Sequence, residues 1–355
     1  MNTSGLLDTR LRHQCLTTPR HRTAQQVVAW MGAVQAQDYA GAAWALALRA
    51  ADLTLADVDR ALAAGRILRT HVLRPTWHFV APADIRWMLA LTGPRVHMAM
   101  RSYDRTLELD AKLYTRARTL LTAALEGGHA LTRADLSTAL RAGGIEATGQ
   151  RLAHIVMHAE LEADICSGPR QGAHFTYALL AERAPRAKDL SRDEALATLA
   201  ERYFRSHGPA TVRDFAWWSG LTLADARAAA AALPADRGEV LAAPPELQRA
   251  LDAHYLLPNY DEYLIAYKDR GAVLEPARAR NLGVFTSAEF PHQVVADGRV
   301  AGSWKREVGR ASAQVSLRWY QPPAPRQRAA LAAEAARFGQ FLGVPCAIDH
   351  GVGGS

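Results

Sequence analysis

Three times along this chain a polar helix start, a short helix, a turn, a second helix and a β-rich stretch follow one another, and that recurring order is the strongest constraint on its fold. In the first stretch, helices are expected near 23–33, 39–49 and 54–64, then a strand pair near Ile67–Thr70 and Thr76–Val80. The second opens at Leu131-Thr132-Arg133-Ala134-Asp135, where Thr132 is a natural N-cap and Asp135 occupies the capping-box position. Its second helix is expected over Thr148–Leu161. There Leu152, Ile155, Val156 and Ala159 form an inward stripe, while Gln150, Arg151, His154 and His158 lie off it, as in a helix offering polar groups to DNA. A hairpin from Ala163–Ile165 to His174–Ala178 would carry Ser167–Gly172 at its tip. The third begins at Gly208-Pro209-Ala210-Thr211, with Thr211 and Asp214 as another capping box and a second helix over Thr222–Leu233. Helix, turn, helix and β-ribbon is the order of a winged helix.

After about residue 238 the pattern changes to β-like runs at Tyr255–Tyr260, Val284–Thr286, Gln293–Ala296, Val300–Trp304 and Ala313–Tyr320. Asp297-Gly298, between Ala296 and Arg299, predicts a type I′ hairpin turn, because both central residues there need positive φ. A last helix is expected over Pro325–Leu342, with junctions at Pro244-Pro245 and Ala324-Pro325. The expected fold class is therefore α+β: three tandem winged-helix motifs followed by a small C-terminal antiparallel β-domain with a terminal helix. The limits that follow are 1–81 for the first winged helix, 82–127 for connecting helices, 128–190 for the second, 191–245 for the third, and 246–355 for the β-domain.

The 355 residues, 49% of them hydrophobic, are enough for several cores. Lys and Arg total 42 against 35 acidic residues, a net charge of +7, and all but four of the 42 are Arg. The guanidinium fork grips phosphate oxygens well, although a GC-rich genome gives the same bias. Cys15, Cys166 and Cys346 are far apart, so neither a disulfide framework nor a zinc ribbon is indicated, and a reducing cytoplasm is expected. No secretory segment opens the chain and no apolar run is long enough to span a bilayer.

Near the start, Met31-Gly32-Ala33-Val34-Gln35-Ala36-Gln37-Asp38-Tyr39 sets two amides either side of one small residue. Residues two apart diverge on a helix, so Gln35 and Gln37 can share a pocket only on extended chain, and Gly32 and Gly41 are read as the breaks that permit it. Together with Arg74-Pro75-Thr76-Trp77-His78, the block Leu256–Arg270 (LLPNYDEYLIAYKDR) and Gly302-Ser303-Trp304-Lys305-Arg306, this motif resembles the bacterial AlkZ-like (AlkZ/YcaQ) winged-helix DNA glycosylases over nearly the whole chain. The chain has the Gln-x-Gln variant rather than the Gln-x-Asp of the YcaQ branch. The resemblance implies three tandem winged helices and a repair enzyme that excises N-alkylated purines, some members unhooking interstrand crosslinks, with Gln35 and Gln37 as the catalytic pair.

A primary amide is no general base near neutral pH, so such a pair can only orient water and stabilise charge. That suits a purine alkylated at N7 or N3, which already carries positive charge and leaves as a neutral base. Asp38, His78 and Trp77 are accessory candidates: Asp38 could serve as base or sugar stabiliser, though on extended chain it points away from the glutamines. Trp77 reads first as core, and His78 as either a structural imidazole or a group facing the lesion. The pair Asp261-Glu262 reads as salt-bridged packing. Candidate DNA contacts are Arg74, Arg151, His154, Arg170, Arg299, Lys305 and Arg306. His154 and His158 have ligand spacing but no third ligand in sight, so no metal and no cofactor are expected. The expected partner is double-stranded DNA carrying alkylated purines or crosslinks, bound by a monomer in the cytoplasm at the nucleoid, without membrane or obligate protein partner. A non-enzymatic winged-helix transcription regulator, and a protein that sequesters an alkylating compound, are the competing readings.

Overall fold

The computed structural model describes residues 3–234, 251–274 and 291–351. The expected strand Val284–Thr286 and the Pro244-Pro245 junction lie outside the described residues. Fourteen helices and eleven strands follow one another there. The first segment holds α1 (Thr3–His13), α2 (Ala24–Met31), β1 (Ala33–Gln35), α3 (Tyr39–Leu48), α4 (Leu55–Ala63), β2 (Leu68–Val72) and β3 (Arg74–Val80). Two connecting helices follow, α5 (Ile85–Thr106) and α6 (Ala111–Leu125). Then come β4 (Leu131–Thr132), α7 (Arg133–Ala142), α8 (Gly149–Leu161), β5 (Ile165–Ser167), β6 (Thr176–Leu179) and α9 (Leu180–Arg183). Three helices, α10 (Arg192–His207), α11 (Val212–Ser219) and α12 (Leu223–Ala231), lead to β7 (Tyr255–Leu257), α13 (Glu262–Ile265), β8 (His292–Ala296), β9 (Arg299–Val308), β10 (Ala313–Trp319), α14 (Pro325–Leu342) and β11 (Cys346–Asp349).

Internal contacts divide the chain into two compact units. Unit 1 comprises Met1–Val58, Glu201–Trp218 and Leu233–Ser355; unit 2 comprises Asp59–Ala200 and Ser219–Ala232.

Unit 1 is built around a five-stranded sheet in the order β11-β10-β9-β8-β7. The Asp-Gly turn joins β8 to β9 as expected, with Asp297 at φ 51° and Gly298 at φ 73°. The sheet is not wholly antiparallel, because β11 pairs with β10 in parallel, Ala313 beside Cys346. A parallel neighbour needs a crossover, and α14 supplies it. This helix spans the expected Pro325–Leu342 and ends on Gly343 in the left-handed region (φ 74°), where a side chain would be strained. Its buried Phe338 and Phe341 meet fully buried Trp44 of α3 with ring centroids 5.1 and 5.2 Å apart, and Phe338 also meets Trp304 of β9. Trp44 donates its indole N–H to the Leu256 carbonyl at 2.7 Å, so the aromatic cluster leaves no stranded donor.

Unit 2 packs α6, α7 and α8 over β5 and β6 around Leu121, Leu136, Leu140, Ile155, Ala159 and Ile165. The capping box at Thr132–Asp135 is present, and the expected inward stripe of α8 is buried. Thr211 and Asp214 likewise cap one another's backbone at the start of α11. In α5, Gly93 lets the helix approach α8 closely: a Cβ there would stand 3.2 Å from the Leu161 carbonyl.

Candidate active site

In unit 1 the glutamine segment lies between two helices. Thr23 caps α2 through Gln26, and Gly32, at φ 81°, ends it, so the chain leaves as β1 and is extended through Gln35. A bend at Gln37 and Asp38 then starts α3. Gln35 is 7% exposed while Gln37 is exposed, so the two amides have different access to solvent. Gly41 is not the second break. It sits in the first turn of α3, where a Cβ would stand 2.8 Å from both Asn259 Oδ1 and Asp38 Oδ2. Close approach, not chain reversal, is its role.

The neighbouring carboxylates are committed. Asp38 caps α3 by accepting from the Gly41 N–H at 3.2 Å and pairs with Arg306 at 2.8 Å. Fully buried Glu262, on α13, accepts the Gln35 backbone N–H at 2.8 Å and the Trp218 indole N–H at 3.0 Å, with His207 Nε2 at 3.6 Å. Beside it, buried Asp261 grips Arg49 through two bonds of 2.8 and 2.9 Å, and Arg49 also reaches Gln14. Burial opposes the Arg49 charge, but Asp261 outweighs it and holds the guanidinium above its ordinary pKa. Packing, as expected, is what Asp261 and Glu262 do. Their place directly behind the glutamine backbone was not foreseen, although the Leu256–Arg270 block pointed to the segment.

Two further residues went unnoticed in the sequence. Asn259 places a third carboxamide at the start of α3; its Oδ1 is buried with no hydrogen-bond partner among the described residues. His292 accepts the Asn259 backbone N–H through Nδ1 at 2.7 Å, and burial, then Arg306, push its pKa down to about 4. It is therefore neutral near pH 7, with the remaining proton on Nε2.

In unit 2, β2 and β3 pair antiparallel with His71 opposite Trp77 and Arg69 opposite Phe79. Trp77 is half-buried rather than core. Its ring lies 4.2 Å from that of His71, which is hydrogen-bonded to buried Glu160, and the Arg69 guanidinium covers it at 4.3 Å. Arg69 also covers Phe175 at 4.6 Å, as Arg170 does at 5.1 Å. Trp77, Arg69 and Phe175, with Thr132, Arg133 and His174, line a groove of about 570 Å³. His78, on the opposite face of the strand, is fully buried and its Nδ1 meets the Thr76 carbonyl. Arg74 is half-buried beside Gly220.

The remaining expected contacts divide in two. Arg299 and Lys305 are exposed on β9, whereas Arg306 is half-buried on Asp38. Arg170 is shared with Asp59 at 3.4 Å. The polar face of α8 is open only at Gln150, because α5 meets His154 and α6 meets His158. Arg151 bonds the Glu146 and Leu107 carbonyls, and His154 bonds Asp104 at 3.0 Å. These groups pin a helix rather than wait for phosphate.

The family model "DNA glycosylase AlkZ-like" matches residues 28–341. An interstrand DNA cross-link repair glycosylase of Streptomyces sahachiroi is 25% identical over 322 residues, 83% of this chain and 85% of that one. The solved structure of the Streptomyces sahachiroi DNA glycosylase AlkZ superposes with a TM-score of 0.77 at 24% identity, covering 98% of this chain and 99% of that one, and so has the same α+β fold.

Proposed function

The chain belongs to the AlkZ-like DNA glycosylases, hydrolases of N-glycosyl bonds, and from that premise we propose that it excises purines alkylated at N7 or N3, including those tied into interstrand crosslinks. Gln35 and Gln37 would orient the attacking water. The observation that carries this reading is the commitment of the neighbouring carboxylates among the described residues: Asp38 to a helix cap and Arg306, Glu262 to the Gln35 backbone and Trp218, Asp261 to Arg49. With these carboxylates engaged, the site suits a leaving group that alkylation has already made cationic. Dipoles aimed at the developing oxocarbenium charge then supply the remaining stabilisation.

Crosslinked bases stay tied to the opposite strand and resist full extrusion into a deep pocket. An exposed Gln37 at a chain bend fits a lesion approached from outside. Three winged-helix units of a monomer would hold the duplex, with Arg299 and Lys305 on phosphates and the Arg69–Trp77–Phe175 groove on a sugar or base. Work of this kind is done at the nucleoid, in the cytoplasm. Family membership favours this reading over a transcription regulator, which would dimerise on a palindrome and release no base.

A glycosylase assay on duplexes carrying 7-methylguanine, 3-methyladenine or a nitrogen-mustard N7–N7 crosslink tests the proposal. Release of the methylated bases and unhooking of the crosslink, with undamaged DNA left intact, is expected. Tight binding with every base retained would overturn it.

A further inference from the structure

We infer that His97, His158 and Glu162 form a binding site for one divalent transition-metal ion of the zinc type, which clips α5 to α8. The site lies within unit 2 and does not rest on the proposed glycosylase chemistry. His158 and Glu162 are four residues apart at the C-terminal end of α8, on one face, and His97 reaches them from α5. The two helices approach closely here: Gly93, one turn before His97, is the residue whose missing Cβ admits the Leu161 carbonyl. One donor atom from each of the three residues lies within 4.8 Å of the other two, and His97 Nε2 stands 3.0 Å from Glu162 Oε1. Donors around a tetrahedral zinc are about 3.3 Å apart, as follows from bonds of roughly 2.0–2.2 Å. Small rotations of the partly exposed His97 and Glu162 side chains close that gap, and the same exposure of 27% and 36% leaves the ion a way in.

Charge and hydrogen bonding favour a cation. Arg118 bonds both carboxylates here: it grips Asp164 with Nε and, at 2.9 Å, a second nitrogen, and touches Glu162 Oε2 at 3.0 Å. One guanidinium is thus shared by two carboxylates, which leaves the trio a net negative charge, and Glu162 turns Oε1 toward His97. His158 is fixed by stacking on Tyr114, centroids 3.8 Å apart and planes 15° from parallel. Its Nδ1 is buried with no hydrogen-bond partner among the described residues, an uncommon condition for an imidazole. Two imidazoles and one carboxylate are a familiar zinc donor set, with water completing the tetrahedron. The sequence pairing of His154 with His158 pointed at the wrong partner. His154 is held by Asp104, and the third ligand comes from a helix some sixty residues earlier in the chain.

The test uses the full chain prepared without a polyhistidine tag and treated with chelator, titrated with Co²⁺ and then Zn²⁺. Visible d–d absorption should saturate at one equivalent of cobalt, and zinc should abolish it. The His97→Ala/His158→Ala chain should show none of this absorption. Asp164→Asn, which leaves Arg118 to Glu162 alone, should weaken zinc binding about 10–100-fold, as loss of an outer-shell partner does. If circular dichroism shows the double variant unfolded, Glu162→Gln carries the same test at nearly constant size. Absence of a one-equivalent endpoint, or equal uptake by the folded variant, would overturn the site and leave an ordinary imidazole–carboxylate hydrogen bond.

Discussion

Units 1 and 2 differ in how charged side chains are set beside the glutamines and beside the groove. Behind the glutamines, unit 1 buries Arg49, Asp261 and Glu262 completely and spends them on bidentate or backbone bonds. Along its groove, unit 2 lays Arg69 and Arg170 over Trp77 and Phe175, against half-exposed rings. Buried pairs fix a backbone in place because stranding either partner is costly. A guanidinium stacked on an aromatic face is held by the ring quadrupole, and the rings of Trp77 and Phe175 stay half-exposed along the groove. On the proposed function, the contrast is that between positioning a reaction and gripping a substrate.

That contrast can be broken from either side. The largest effect should come from Asp261→Ala, which strands the Arg49 charge and should cost about 3–5 kcal/mol in urea unfolding; a loss below about 1 kcal/mol would mean that the pair holds nothing. Next, Gln35→Ala with Gln37→Ala should slow single-turnover base release by about 100-fold, the scale of losing one preorganised donor, with DNA affinity nearly unchanged. Trp77→Ala should do the reverse, weakening DNA binding by about 1–3 kcal/mol while the single-turnover rate at saturation stays near wild type. The smallest effects belong to Arg299→Ala and Lys305→Ala. Each should reduce the steepness of the salt dependence of binding by about 0.9 if it neutralises one phosphate.

Local chemistry carried much of the fold into the sequence. The capping boxes at Thr132 and Thr211, the Asp297-Gly298 turn and helix α14 depend on residues a few positions apart, and each is where the pattern placed it. Helices α1 and α10 and strand β11 escaped notice. The last is a four-residue strand at a sheet edge whose partner β10 lies across a whole helix, so no turn announces it. Of the candidate site, the sequence carried the Gln35–Gln37 segment and the block holding Glu262, but not the wiring between them. Whether Arg151 and His154 face DNA or a neighbouring helix depends on α5 covering α8, a packing fact that the amphipathic stripe leaves open. His292 and Asn259 meet through a backbone-to-imidazole hydrogen bond between residues 33 apart, which no motif records.

The central claim is that uncharged amides, with no titrating base, cleave a bond that alkylation has weakened. Its most direct test is the pH dependence of single-turnover 7-methylguanine release between about pH 6 and 8, for the wild type and for Gln37→Ala. His292, held near 4, stays neutral across that range. The account predicts a flat wild-type profile and a parallel one about 100-fold lower for the variant. A wild-type rate that climbs tenfold per pH unit, or a variant as fast as wild type, would contradict it.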